Sequence, residues 1–182
     1  MDRKIPAAMA GLLLLFSAAV NSATGFMGIS GSFLSFDDGV EPIEPINIAI
    51  RAGMALNEYI ELGGEYSLTM IPDTFTFGSF EIDYDVDTTF LFVKANLPIG
   101  GGSKLYVLGG ATHVTVTGAT VGASAEIDDS GTAIGFGLQV PSEDNGYFAF
   151  EYVTYYDDSE FDGFNGDFLL TGFNLVYVGY FR

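Results

Sequence analysis

Five charged residues stand in apolar, glycine-rich surroundings where they could only persist as partners: Arg51 and Lys94, and the acids Glu61, Glu65 and Glu151. A charge withdrawn from water has to be paired and hydrogen-bonded. Beyond position 23 the chain carries only two other basic residues, Lys104 and Arg182, so Arg51 and Lys94 are expected to hold the three carboxylates in ion pairs. A second grouping, Asp157-Asp158-Ser159-Glu160-Phe161-Asp162, offers the hard oxygen ligands that calcium takes. It lacks EF-hand spacing. Asp157, Asp158, Glu160 and Asp162 are therefore read first as a solvated acidic surface, with calcium behind that, and no cofactor is assigned. The only histidine lies in His113-Val114-Thr115, where a ring base stands two residues from a hydroxyl, the minimum for nucleophilic acyl chemistry. No acid in the sequence can be assigned to orient the ring, so His113 is expected to make a structural hydrogen bond at an upper-strand interior or rim position. The chain is not expected to be an enzyme.

The elements that must position these residues begin after a leader. MDRKIPAAMAGLLLLFSAAVNSA has a basic start (Arg3, Lys4), an apolar run from Ala7 to Val20, and small residues after it, which is the pattern of a secretory signal peptide. Cleavage is placed after Ala23, with a cut after Ser22 competing. The domain boundaries are thus 1–23 for the signal peptide and 24–182 for the folded part. That part shows period-two alternation broken by Gly, Pro, Asn and Asp, and almost no helical period. It is an all-β chain with eight expected strands: Phe26 to Phe36, Ile46 to Leu56, Tyr59 to Thr69, Tyr84 to Leu97, Lys104 to Gly118, Gly131 to Val140, Tyr147 to Tyr156 and Asp167 to Phe181. Short connections (Asn57-Glu58, Pro98 to Ser103, Pro141 to Gly146) alternate with long ones (Asp37 to Pro45, Met70 to Asp83, Ala119 to Ser130, Asp157 to Gly166). An even number of antiparallel strands with short turns at one end and long loops at the other is the layout of a transmembrane barrel.

Strand parity supplies two faces. One carries Ile48, Ile50, Leu91, Val93, Ile134, Phe136, Phe148, Phe150, Leu175 and their like; the other carries Asn47, Arg51, Glu61, Glu65, Lys94, Gln139, Glu151 and Asn174 with many glycines. A soluble barrel with the faces inverted has the same alternation. The membrane reading is preferred because the polar parity is thin and glycine-rich, which suits a cramped interior. Aromatics near strand ends (Phe33, Phe36, Tyr84, Tyr155, Tyr156 and Phe168; Tyr59, Tyr106, Tyr147 and Tyr180) are expected to form two interfacial girdles. The chain has 24 glycines, no cysteine, no tryptophan and a net charge of −18. Such an acidic balance argues against nucleic acid as a partner. Of the 23 acids beyond position 23, 17 fall in or beside the four long connections, so the rim there is expected to favour cations or basic protein patches.

The opening GFMGISGSF, the stretch TAIGFGLQVPSEDNGYFAFEYVTYYDD with Glu151, and the final FNLVYVGYFR resemble the small eight-stranded outer-membrane barrels of the OmpA transmembrane-domain and OmpX type, the "porin family" of Gram-negative bacteria. The resemblance covers essentially residues 24–182. It implies an eight-stranded antiparallel up-and-down barrel in the cell outer membrane, in contact with lipid and lipopolysaccharide. It also implies that Phe173, Leu175, Tyr177, Gly179 and Phe181 form a C-terminal signal read by the barrel-assembly machinery, although Arg182 follows the terminal aromatic. The implied function is structural or a surface interaction with extracellular protein or cation ligands, in a monomer. A narrow ion or small-solute channel is the alternative. A lipid A-modifying enzyme ranks behind both, because the deacylase pattern of that size class is His-x-Ser and here Thr115 replaces the serine.

Overall fold

The structure is a computed structural model that describes residues 24–39, 41–77 and 80–181. The proposed signal peptide, 1–23, lies outside the described residues. Nine strands follow one another: β1 (Thr24–Asp37), β2 (Ile46–Ala55), β3 (Ile60–Ile71), β4 (Asp73–Phe77), β5 (Phe80–Gly100), β6 (Ser103–Thr120), β7 (Ala123–Pro141), β8 (Gly146–Phe161) and β9 (Phe164–Phe181). Every pairing is antiparallel, β1 pairs with β9, and β3 pairs with β5, so the sheet closes on itself. Eight strands run around the ring. β4 continues the third of them beyond Pro72 and pairs only with β5.

Proline supplies no ladder donor, which breaks the strand there. Around the break, side chains replace the missing backbone bonds. The Thr69 hydroxyl donates to Val86 O (3.1 Å) and accepts from Val86 N (2.8 Å), while Asp87 accepts the Thr69 N–H (2.9 Å).

Three expected long loops are strands instead. Met70 to Asp83 is mostly the β4–β5 hairpin, Ala119 to Ser130 is the turning end of β6–β7, and Asp157 to Gly166 the end of β8–β9. Ladders run on to Thr120↔Ala123 and Phe161↔Phe164. The turns left between them are two residues long, Val121-Gly122 and Asp162-Gly163, with Gly122, Asp162 and Gly163 all at positive φ. Positive φ at both central residues matches the right-handed twist of the flanking strands, and Asp-Gly tolerates it. Only the connection after β1 stays a loop, pinned by the Phe36↔Ile43 bridge.

The two faces are sharply divided. Ile134 is 68% exposed and Phe136 62%, in a band that also includes Met27, Ile29, Val93, Val107 and Leu175 around the ring. A water-facing surface does not carry a continuous apolar belt of this extent. The expected aromatic girdles are corrected here: Phe36, Tyr106, Tyr147, Tyr155, Tyr156 and Phe168 are buried inside the barrel, Tyr84 and Tyr180 turn inward as well, and only Phe33 and Tyr59 are exposed. The inward ones have the parity of the interior, except Tyr156, which turns inward through the register shift after Thr154. Glycines make room for them, since a Cβ on Gly137 would strike the Tyr106 ring and one on Gly63 would meet Phe92 at 2.6 Å.

Candidate functional site

The interior charges meet in two groups joined by a tyrosine. Arg51 on β2 projects across the lumen between Glu65 on β3 and Glu151 on β8. Its Nη2 lies 2.6 Å from Glu65 Oε2 and its Nη1 2.6 Å from Glu151 Oε1. The planar guanidinium also bonds the second oxygen of Glu151 (2.7 Å) and brings Nε to Glu65 (3.0 Å), a forked geometry that an ammonium group cannot reproduce. Remaining lone pairs are filled: Tyr155 donates to Glu65 (3.1 Å), Tyr106 to Glu151 (2.7 Å), and Asn174 to the Tyr155 hydroxyl (2.8 Å).

Lys94 on β5 holds the second group. Its ammonium lies 3.2 Å from Glu61 Oε2, donates to Gln139 (2.8 Å) and Tyr147 (3.0 Å), and sits 4.2 and 4.4 Å from the ring centroids of Tyr106 and Tyr147. Glu61 takes further bonds from Asn96 (3.2 Å) and Tyr180 (2.9 Å). Tyr106 thus bonds one group through its hydroxyl and supports the other with its face. All five charged side chains are buried, which makes this a filled cross-section and not an open passage.

On the side of the short turns the lumen opens as a vestibule of about 970 Å³ that ends on Glu61, Gln139 and Tyr147. On the opposite side an aromatic plug caps the polar layer. Phe90 packs edge-on to Tyr155 (5.7 Å between centroids), and Phe161 contacts Phe36 (5.5 Å), Phe168 (5.6 Å) and Tyr156 (5.1 Å). Phe161 comes from the far end of β8, so this hairpin folds an aromatic back into the barrel mouth.

Above the plug the acids are displayed on strands. On β5 and β7, Asp83, Asp85, Asp87, Glu126 and Asp128 share the outward parity, with Asp85↔Thr117↔Glu126 and Asp87↔Thr115↔Asp128 directly in register across β6. Asp129 has the other parity. It accepts the Ser130 N–H (2.7 Å), the Asp162 N–H (3.0 Å) and the Tyr156 hydroxyl (3.0 Å). The two backbone donors hold its carboxyl below the usual range. This one residue ties the β6–β7 hairpin to the β8–β9 hairpin where β7 and β8 do not pair, because their ladder starts only at Ile134.

The four acids considered for calcium do not converge. Asp157, Asp158 and Glu160 lie along one exposed strand with Asp162 in its turn, and Asp158 is occupied by the Ser159 N–H (2.6 Å). Among the described residues no group of three or more His, Asp or Glu side chains is placed to hold a metal.

His113 does not sit on the interior. Its parity is outward, at the upper edge of the apolar belt, and its Nδ1 lies 3.0 Å from Ser130 Oγ on the facing strand, with Asp128 Oδ2 3.7 Å from Nε2. The acid is beyond hydrogen-bond distance, so the Ser130 contact and not the carboxylate fixes the ring. Sequence spacing along one strand had no way to find Ser130, which is adjacent only through β6–β7 register.

The signature residues Phe173, Leu175, Tyr177, Gly179 and Phe181 line the outward face of β9, the strand that closes the ring against both β1 and β8.

Comparison with known proteins places this geometry. The sequence pattern of the outer membrane protein beta-barrel domain matches residues 7–177. No curated protein sequence matches the chain. Among solved structures, Neisserial surface protein A resembles it with a TM-score of 0.71 at 9% identity, over 88% of this chain and 100% of the other. Ail, the attachment invasion locus protein of Yersinia pestis, crystallised with the heparin analogue sucrose octasulfate, gives 0.60 at 18% identity over 88% and 99%. The N-terminal barrel domain of Pseudomonas aeruginosa OprF gives 0.53 at 13% over 86% and 99%. At these identities the structures speak to the fold.

Proposed function

The chain belongs to the outer membrane protein beta-barrel domain family, an outer-membrane protein in contact with lipid, and from that membership we propose that it is a closed, monomeric barrel whose task is a surface interaction carried by its projecting hairpins. The observation that supports this most directly is Arg51 spanning the lumen between Glu65 and Glu151 beneath the plug of Phe90, Tyr155, Tyr156 and Phe161. A cross-section filled by a forked ion pair leaves no continuous water path, whereas the hairpins beyond it offer shaped surface. Export on residues 1–23 and assembly through the outward face of β9 belong to the same proposal.

The sign of the charge narrows the partner class. Ail was crystallised with a polyanion; here the projecting strands carry carboxylates, and among the described residues no lysine or arginine lies on that side. Polyanions are repelled and basic surfaces attracted. Planar-bilayer recording tests the closed state. The assembled protein is expected to be electrically silent, and steady unitary openings would replace this reading with the channel alternative.

A further inference from the structure

The inner face of the projecting strands is apolar where the outer face is acidic. Ile82 and Tyr84 on β5, Val116 on β6, and Ala125 and Ile127 on β7 line a hollow of about 380 Å³. Tyr84 also borders a second hollow of about 260 Å³, walled by Ile43 and Phe75 and carrying the carboxylates of Glu41 and Asp73. Tyr84 lines both hollows, which sets an apolar trough beside an acidic shelf. Asp73 is fixed by the Glu44 N–H (2.9 Å), which gives the shelf a defined shape.

We propose that this trough binds a short cationic amphipathic peptide segment, seating a bulky apolar side chain against Tyr84, Val116 and Ile127 and a lysine or arginine against Glu41 and Asp73. Charge complementarity selects this occupant. An acyl chain of a phospholipid or of lipid A would fit the apolar part, but its phosphate would be brought against the carboxylates, and among the described residues no lysine or arginine is near to offset it. A polycation without apolar residues would leave the trough wet. Only a ligand with both features satisfies both hollows, whose volumes suit one or two anchor side chains. The inference rests on the reading of an outward-displaying barrel.

The chain has no tryptophan, so a Trp-containing probe reports alone. The protein is assembled in phosphatidylcholine vesicles, which carry no net charge and no tryptophan, and titrated with a hexapeptide alternating Trp or Leu with Lys. Saturable binding with a blue-shifted emission is expected. Ala125→Arg, which places a cation in the trough at an exposed position, is expected to weaken binding at least tenfold, and Glu41→Gln to weaken it severalfold and reduce its salt dependence. Heat-modifiable migration of both variants checks that they fold. Equal binding by Ala125→Arg, or equally tight binding of the matched peptide with Glu for Lys or of an anionic alkyl sulfate, would overturn the proposal. Conductance is recorded on the same preparation: a silent barrel that ignores the peptide refutes the trough alone, while a conducting barrel that binds it refutes closure alone.

Discussion

At the scale of single residues, Arg51 has the largest expected effect. Two buried carboxylates depend on it, and Glu65 and Glu151 would each be left facing low dielectric without a cation. Breaking a buried pair by removing one partner costs about 3–5 kcal/mol. Arg51→Ala should therefore lower the unfolding free energy read from urea titration in detergent by an amount of that order, and with it the midpoint, and Arg51→Met with Glu65→Gln and Glu151→Gln should recover most of it, because neutral partners need no counter-charge. A midpoint unchanged by Arg51→Ala would count against the pairing. Asp129 makes a local, pH-dependent prediction. Its folded pKa is depressed by the amides of Asp162 and Ser130, so the tether contributes fully above the unfolded value of about 3.9 and is lost as pH falls through the lower folded value. Amide exchange at Asp162 and Ser130, corrected for the intrinsic rate, should accelerate below about pH 4, and in Asp129→Ala should already be fast at neutral pH.

At the scale of elements, β9 carries two duties that can be separated. It closes the ring through backbone ladders on both edges, and it presents Phe173, Leu175, Tyr177 and Phe181 outward. Phe181→Ala removes outward surface and leaves the ladders, so spontaneous refolding into vesicles should be nearly normal while the outer-membrane fraction in cells drops severalfold. Equal loss in both assays would make β9 a purely structural strand. The same element shows what sequence could and could not convey. Parity on β8 puts Tyr147, Glu151 and Tyr155 on one side, and that rule assigned the charged interior; height along the strand, used for the aromatics, says nothing about which way a ring points. The hairpin ends were hidden differently. Ile82, Tyr84 and Val86 alternate with Asp83, Asp85 and Asp87 as cleanly as any membrane segment, but acids and glycines weigh toward loops, and Asp162-Gly163 was the turn signal that marked a strand pair. The His113–Ser130 and Arg51–Glu151 contacts join positions related only by register and ring closure, which no local pattern contains.

At the scale of the whole molecule, the described lysines and arginines lie inside the barrel or near the short turns, away from the hairpin carboxylates. Arg51 and Lys94 are internal, Lys104 donates to Glu58 O near the short turns (3.1 Å), and the hairpins at the other end carry carboxylates with no lysine or arginine among the described residues to offset them. Their mutual repulsion acts on exposed groups and is screened over about 10 Å at 0.1 M salt. Raising sodium chloride from 10 mM to 0.5 M should therefore raise the thermal midpoint in detergent by a few degrees, since about 1 kcal/mol shifts Tm by about 2–4 °C in a chain of this size. Because Asp157, Asp158, Glu160 and Asp162 are spread along an exposed hairpin and do not converge, calcium at matched ionic strength should add no more than magnesium does. A calcium-specific rise would mean that the carboxylates regroup around an ion, and loss of that rise in Asp158→Asn would locate it on the β8–β9 hairpin. Without such a rise, the acidic end acts through its field alone, and the proposed attraction of basic partners should weaken as salt is raised.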